Sequence, residues 1–88
     1  MENWEIKLTK TAFDDFQKLP KPIAKSIKRK LIWLKNNFEN ISHLPLKGEL
    51  KGLFKLRIGD YRIIYSIDWE EKKIFILTIS HRKDVYKI

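Results

Sequence analysis

Apolar residues near the start of the chain follow two different periods. Over residues 3–8 they alternate with polar residues, which predicts a half-buried strand. Thr11 and Asp14 are then typical of a helix N-cap followed by an acid in the first turn. The amphipathic spacing beyond them predicts a short helix. We expect it to end at Pro20, because the residue before a proline disfavours helical backbone.

A second helix is predicted to start at Pro22, since proline suits the first helical turn. Its apolar positions recur at steps of four, four, three and four residues, as expected of a helix with one buried face. These positions are Ile23, Ile27, Leu31, Leu34 and Phe38. Trp33 precedes one of them and is expected in the core or at its rim. The short loops around Pro20 and Asn40 indicate a helical hairpin.

Alternation returns after a polar loop. Residues 54–58 and 61–67 each alternate, and Gly59-Asp60 between them is a favourable two-residue hairpin turn. Residues 74–80, IFILTIS, are apolar on both faces, which predicts a central strand. The order β-α-α-β-β-β, with a short C-terminal tail or helical turn, predicts an α+β fold. In it, a two-helix hairpin packs on one face of a small, mostly antiparallel sheet.

The composition fits one small folded domain over residues 1–88. Hydrophobic residues make up 43% of the chain, which is enough for one modest core and disfavours disorder. The absence of cysteine excludes a disulfide scaffold and a thiolate zinc site. We expect a cytoplasmic protein without a membrane partner, because no signal-peptide pattern or long apolar run is present.

The charge balance adds an expectation about partners. Lysine and arginine number 19 against 11 acids, giving a net charge of +8. A small domain this basic suits a polyanion or an acidic protein, although surface charge can also serve solubility alone. Seven of the cations and no acid lie between Gln17 and Asn36. The second predicted helix is therefore basic. Its charged face is either simply solvated, or it docks ribosomal RNA or an acidic partner.

A two-residue turn at Gly59-Asp60 sets the register of the hairpin by counting. Arg57 then lies directly opposite Arg62, and both point to the same side of the sheet as Lys55. Two opposed arginines repel each other and destabilise the hairpin. The arrangement benefits the protein if an anion binds there, and otherwise it is a solvated basic face.

The segment after the last strand adds side chains that suit RNA. A strand next to residues 61–67 is expected to bring them near the same basic face, where arginine forks grip phosphate and an aromatic ring stacks on a base. These residues are His81, Arg82, Lys83 and Tyr86. Lys47 and Lys51 are expected beside this site and extend its positive charge towards RNA. Tyr61 and Tyr65 lie at core spacing and are expected to pack.

These residue types point to RNA cleavage without a metal ion or other cofactor. An RNA phosphodiester carries its own nucleophile, the 2′-hydroxyl, so cleavage needs a base, cations for the phosphorane charge and an acid. The acids are scattered and form no carboxylate pair, which argues against a metal-ion nuclease. His81 has the intrinsic pKa of an acid or base, and a lysine among arginines could serve as the base. A lone histidine at a strand end is also often only a surface residue.

The run from Leu46 to Lys87 resembles the RelE/ParE superfamily of toxin–antitoxin toxins. The matching words are LKGELKGLFKLRIGDYRIIYSI over 46–67 and ILTISHRKDVY over 76–86. The opening WEIKLTKTAFDDFQKLPKPI over 4–23 matches more weakly. The resemblance implies a toxin held inactive by a cognate antitoxin. RelE-type members are ribosome-dependent, metal-independent endoribonucleases that cut messenger RNA in the A site, whereas ParE-type members bind DNA gyrase.

The basic set favours the RelE type. By this likeness Arg57 and Arg62 would hold the scissile phosphate, and Arg82 would stabilise its charge or serve the leaving group. Tyr86 would stack on the substrate base or orient it. The spacing of the lysines leaves open whether Lys51 or Lys55 is the key one, with Lys55 as base or phosphate contact. His81 lies close to where some relatives carry a catalytic histidine.

Three functions therefore stand at the level of sequence. The first is a ribosome-dependent endoribonuclease whose partners are the ribosome with messenger RNA and an acidic or partly disordered antitoxin. The second is a gyrase inhibitor without nuclease activity. The third is a basic RNA-binding module that does not cleave.

Overall fold

The computed structural model describes residues 4–83. In chain order its helices and strands are β1 (Glu5–Leu8), α1 (Lys10–Gln17), α2 (Lys21–Asn36), β2 (Leu44–Pro45), β3 (Phe54–Ile58), β4 (Tyr61–Asp68) and β5 (Lys73–His81). The strands form one sheet in the order β1-β5-β4-β3-β2. The β1–β5 pair is parallel, and the other neighbouring pairs are antiparallel. The predicted α+β fold, with two helices on one face of a mostly antiparallel sheet, is confirmed.

The N-cap of the first helix lies two residues before the predicted one. Thr9 has extended backbone, and its Oγ1 accepts a hydrogen bond from the backbone N–H of Ala12 at 3.2 Å. The same hydroxyl donates to the carbonyl of Leu77 in β5 at 3.1 Å. Thr11 as N-cap was therefore wrong, because Thr9 satisfies the helix end and also ties it to the sheet. Asp14 consequently lies beyond the first turn and forms an ion pair with Lys10 at 3.1 Å.

The second helix supplies much of the core, as its spacing predicts. Pro20 is its N-cap, and Pro22 lies in its first turn. Ile27 and Leu34 are fully buried against the sheet, and Phe38 continues the stripe in a 3-10 turn after the helix. Neither helix among residues 4–83 is long and apolar enough to cross a membrane.

The predicted polar loop contains an edge strand that its pattern did not indicate. Leu44 and Pro45 pair with Lys55 and Phe54 of β3. Proline is tolerated there because an edge strand needs backbone hydrogen bonds on only one side. Two residues show no measurable alternation, so this strand could not be predicted from the sequence.

A β-bulge lies between β4 and β5, at Ile64 and Tyr65. It lets both Ile76 and Ile79 point into the core although they are three residues apart. Asp15 of α1 accepts a hydrogen bond from the backbone N–H of Ile79 at 3.0 Å. A helix side chain thus satisfies a strand donor next to the irregular pairing.

Candidate phosphate-binding site on the outer face of the sheet

The hairpin register predicted from Gly59-Asp60 is confirmed. Ile58 pairs with Tyr61, and Arg57 pairs with Arg62. Gly59 has a φ of +55°, a left-handed conformation that glycine adopts without the strain a Cβ brings. Because Ile58 and Tyr61 pack on the core, the two arginines point to the opposite, outer face of the sheet.

The end of β5 brings further cations to these arginines. The backbone N–H of Arg82 donates to the carbonyl of Asp60 at 2.7 Å. The guanidinium Nε of Arg82 lies 3.8 Å from Asp60 Oδ1, so the backbone of Arg82 is hydrogen-bonded to the hairpin turn and its exposed side chain forms an ion pair there. The result is a depression of about 410 Å³, which we name the arginine cluster, lined by Arg57, Arg62, Arg82 and Lys83.

The arginine cluster is suited to an oxyanion. All of its lining side chains are cationic, and three are guanidinium groups, which grip phosphate oxygens with two parallel hydrogen bonds. Asp60 forms an ion pair with Arg82 but does not itself line the cluster. Within residues 4–83, no three histidine or carboxylate side chains come together to hold a metal ion.

The lysines expected in the site are spread along the sheet. Lys55 points to the same outer face as Arg57 and is half-buried, about 7 Å further along β3, and it faces Ile64. It does not line the arginine cluster itself. Lys47 and Lys51 flank a 3-10 turn, Gly48–Leu50, at the end of β3 away from the hairpin. Both are exposed, so they extend the positive surface without joining the cluster.

His81 lies on the other side of the sheet from the arginines. It pairs with Tyr61 across β4 and β5, and their rings pack edge-on with centroids 5.2 Å apart. Its ring lines a separate depression beside α1, together with Asp15 and Lys18. Its Nδ1 accepts a hydrogen bond from the backbone N–H of Lys83 at 3.2 Å. The expectation that His81 joins the basic face was wrong, because the β-bulge between β4 and β5 shifts the alternation of β5 and turns His81 to the helix side. Tyr86 lies outside the described residues.

A buried histidine–tyrosine pair was missed at the level of sequence. Tyr65 is 1% exposed, and burial raises its pKa to about 12. Its hydroxyl lies 2.6 Å from Nδ1 of His43, whose Nε2 lies 2.9 Å from the carbonyl of Phe38. A carbonyl only accepts, so Nε2 carries the proton and Nδ1 accepts from the tyrosine hydroxyl. A buried tyrosine generally needs a partner for its hydroxyl, which was the available signal.

This pair belongs to an aromatic cluster on the helix side. The Phe38 ring packs on two others: its centroid lies 4.1 Å from that of His43 and 4.3 Å from that of Trp4. Trp4 Nε1 donates to Glu39 at 2.8 Å. The cluster anchors the loop before β3 to the core. It is structural support for the strand that carries Arg57.

Comparisons with known proteins show which family this chain belongs to. Residues 6–86 match the model of the family described as ParE toxin of the type II toxin–antitoxin system parDE. The chain belongs to the RelE/ParE toxin family. It is 33% identical to toxin RelG of Mycobacterium tuberculosis over 96% of this chain and 97% of that protein. Toxin RelE of the same organism is 34% identical over 97% of this chain and 88% of that protein.

A solved structure extends the RelE/ParE likeness to three dimensions. The toxin–antitoxin complex RelBE2 from Mycobacterium tuberculosis contains a chain that superposes with a TM-score of 0.81. The superposed chain of the complex is 34% identical in sequence. The match covers 90% of the present protein and 98% of the chain in the complex. The chain is thus a toxin of a toxin–antitoxin system and RelE-like. The family description carries the ParE name, whereas both relatives carry Rel names.

Proposed function

We propose that this RelE-like toxin, one domain over residues 1–88, is a ribosome-dependent, metal-independent endoribonuclease that cuts messenger RNA in the A site. The observation that carries the proposal is the convergence of Arg57, Arg62 and Arg82 on one depression. Repulsion between the opposed arginines works against the fold unless an anion binds there. A scissile phosphate is the anion that the RelE likeness supplies.

In the proposed reaction the 2′-oxygen of the RNA attacks the adjacent phosphorus. A base takes the 2′-proton, the bond to the 5′-oxygen breaks, and that oxygen receives a proton. The products are a 2′,3′-cyclic phosphate and a 5′-hydroxyl. Arg57 and Arg62 would hold the phosphate oxygens, while Arg82 would stabilise the phosphorane charge or serve the leaving group. Tyr86 would stack on the substrate base or orient it, as the resemblance implies.

The geometry favours Lys55 over Lys51 as the base or phosphate contact. Lys55 shares the outer face with Arg57, whereas Lys51 precedes β3 at its far end. The position of His81 on the helix side argues against it as the group that takes the 2′-proton. Lys47, Lys51 and Lys83 would instead contact the RNA backbone electrostatically.

The partners follow from the same likeness and from charge. RelBE2 is a toxin–antitoxin complex, and we propose a cognate antitoxin for this chain. A net charge of +8 favours an acidic, partly disordered chain that wraps the toxin. The ribosome with messenger RNA would be the second partner, which places the action in the cytoplasm.

The test is cleavage of a messenger RNA on a programmed ribosome, with wild type and Arg82→Ala compared and the RNA ends mapped. Lys28→Ala, which removes one charge on α2 away from the arginine cluster, is the matched control. We expect A-site cuts that need the ribosome, survive EDTA, vanish in Arg82→Ala and persist in Lys28→Ala. Intact RNA with well-folded wild type would overturn the proposal. RNA binding without cleavage would then favour a passive RNA-binding module.

One observation favours a second candidate, inhibition of DNA gyrase. The matching family model carries the ParE name. A gyrase toxin would block supercoiling and leave messenger RNA whole. A supercoiling assay with the same Arg82→Ala and Lys28→Ala variants separates the two functions.

A further inference from the structure

One flank of α2 combines cations with an exposed aromatic ring. Ser26, Arg29, Lys30 and Trp33 follow one another at helical spacing, and with Ile58 they line a shallow depression of about 330 Å³. The Trp33 side chain is 39% exposed. Lys30 Nζ lies 4.0 Å from the centre of the Trp33 ring, which is a cation–π contact.

Core packing does not account for Trp33. The buried positions of α2 are Ile27, Leu31 and Leu34, which lie on a different side of the helix from Trp33. The expectation that Trp33 lies in the core or at its rim is therefore wrong, because its exposed side chain is not among the residues that form the core or pack against it. The cations beside the ring are also unopposed, because α2 contains no acid and none of its cations forms an ion pair within residues 4–83. Apart from the contact between Lys30 and one face of Trp33, neither the buried core nor an ion pair uses these side chains in the part of the chain that the structure describes.

This flank lies next to the arginine cluster, around the edge of the sheet. β2 pairs only with Phe54 and Lys55, so in the described part of the chain no strand covers the edge of β3 from Leu56 onward. Ile58 lines the α2 depression, and its neighbour Arg57 lines the arginine cluster on the outer face. The two depressions therefore occupy the two sides of one free edge. A flexible polyanion bound at one can continue to the other.

We propose that the α2 flank is a second contact for single-stranded RNA, in which a base stacks on Trp33 while Arg29 and Lys30 hold the flanking phosphates. Stacking on an aromatic ring and neutralisation of phosphate are the two interactions that single strands use without sequence preference. An acidic peptide would use the cations but not the open ring face. This inference deepens the proposed function, since it holds RNA beyond the scissile phosphate.

The test measures binding alone, without ribosomes. The probe is a fluorescent 2′-O-methyl RNA of about 12 nucleotides, which lacks the 2′-hydroxyl nucleophile and so is not cleaved. Trp33→Ala is expected to weaken binding about fivefold, and Arg29→Ala is expected to reduce the salt dependence of log K by about 0.7. Lys28→Ala is the matched control. This variant removes a charge about 100° around the helix from Arg29. At that position Lys28 lines a different groove, together with residues of α1.

Two further probes, inorganic polyphosphate and poly-glutamate, decide whether the base matters, because both are polyanions without a base. Trp33→Ala should bind inorganic polyphosphate as wild type does, because that polyanion has no base. Trp33→Phe keeps a ring, so it should recover part of the RNA affinity. A thermal melt of each variant checks that the fold is intact. The proposal is overturned if Trp33→Ala binds RNA like wild type. It is also overturned if the variant loses RNA, polyphosphate and poly-glutamate equally. Failure of cleavage by wild type would refute the proposed function and leave this result standing.

Discussion

Arg82 is fixed to Asp60 by two contacts, one through the backbone and one through the side chains. The backbone bond is 2.7 Å long, and the guanidinium Nε lies 3.8 Å from the carboxylate. The Nε contact leaves the terminal nitrogens of the guanidinium available for a phosphate. Under the proposed function we therefore expect Asp60 to be a positioning residue for Arg82, even though its own negative charge lies beside a site for an anion.

Asp60→Asn tests that positioning role under the proposed function. The variant keeps the backbone carbonyl and removes only the carboxylate charge. We expect the single-turnover cleavage rate to fall about two- to fivefold because the guanidinium loses an orienting partner. The free energy of unfolding should change by less than about 1 kcal/mol, since the pair is exposed. Asp60→Glu should recover part of the rate.

An unchanged rate in Asp60→Asn would remove the positioning role. A faster rate would mean that the carboxylate mainly repels the substrate phosphate. Either result leaves the role of Arg82 to be judged by its own variant.

The opposed pair Arg57 and Arg62 predicts a conflict between activity and stability. Arg62→Met removes the charge and keeps an apolar stem of similar reach. We expect it to abolish cleavage and to raise the free energy of unfolding by about 0.5 kcal/mol at low salt. Arg62→Lys keeps the repulsion but loses the planar fork, so it should lose activity without gaining stability.

Urea denaturation at low and high salt checks this prediction. The stability gain of Arg62→Met should shrink at high salt, where charges a few ångströms apart are screened. A gain that does not depend on salt would come from packing instead of charge. A loss of stability in Arg62→Met would show that the two arginines do not repel in the folded protein.

The arginine hairpin could be predicted from the sequence because a short local turn determines which residues pair. Gly59-Asp60 sets a two-residue turn, and counting from it places Arg57 opposite Arg62. The position of His81 depended on the registry of β5 with β4, which no local pattern specifies. His43 lies in a loop without periodicity, and only the packed core brings it to Tyr65. Both residues are thus placed by contacts between segments that are distant in the sequence.

The buried pair Tyr65 and His43 predicts a stability change confined to alkaline pH. The pKa of Tyr65 rises from its ordinary value near 10 to about 12 because burial disfavours the phenolate. Below pH 10 the tyrosine is protonated in both states, so its contribution is constant. Between pH 10 and 12 only the unfolded chain loses the proton, which lowers the free energy of unfolding by about 2 to 3 kcal/mol.

Tyr65→Phe isolates this effect from other groups that titrate in the same range. At neutral pH the variant should be less stable by about 1 to 3 kcal/mol, because Nδ1 of His43 loses its donor. Above pH 10 wild type should lose stability faster than the variant, so the difference narrows. Parallel pH curves for the two proteins, measured by urea denaturation, would contradict the raised pKa.

Gly59 predicts a link between turn geometry and the candidate site. Its φ of +55° is strained for residues with a Cβ, and no atom lies within 4 Å of where that Cβ would be. Gly59→Ala should therefore destabilise the protein by about 1 kcal/mol through backbone strain alone. Gly59→Asn should be milder, since asparagine tolerates left-handed backbone. Because the turn sets the register of Arg57 and Arg62, cleavage should follow the same order, with glycine highest and alanine lowest. Equal stability of the alanine and asparagine variants in urea denaturation would show that the turn can adopt another conformation.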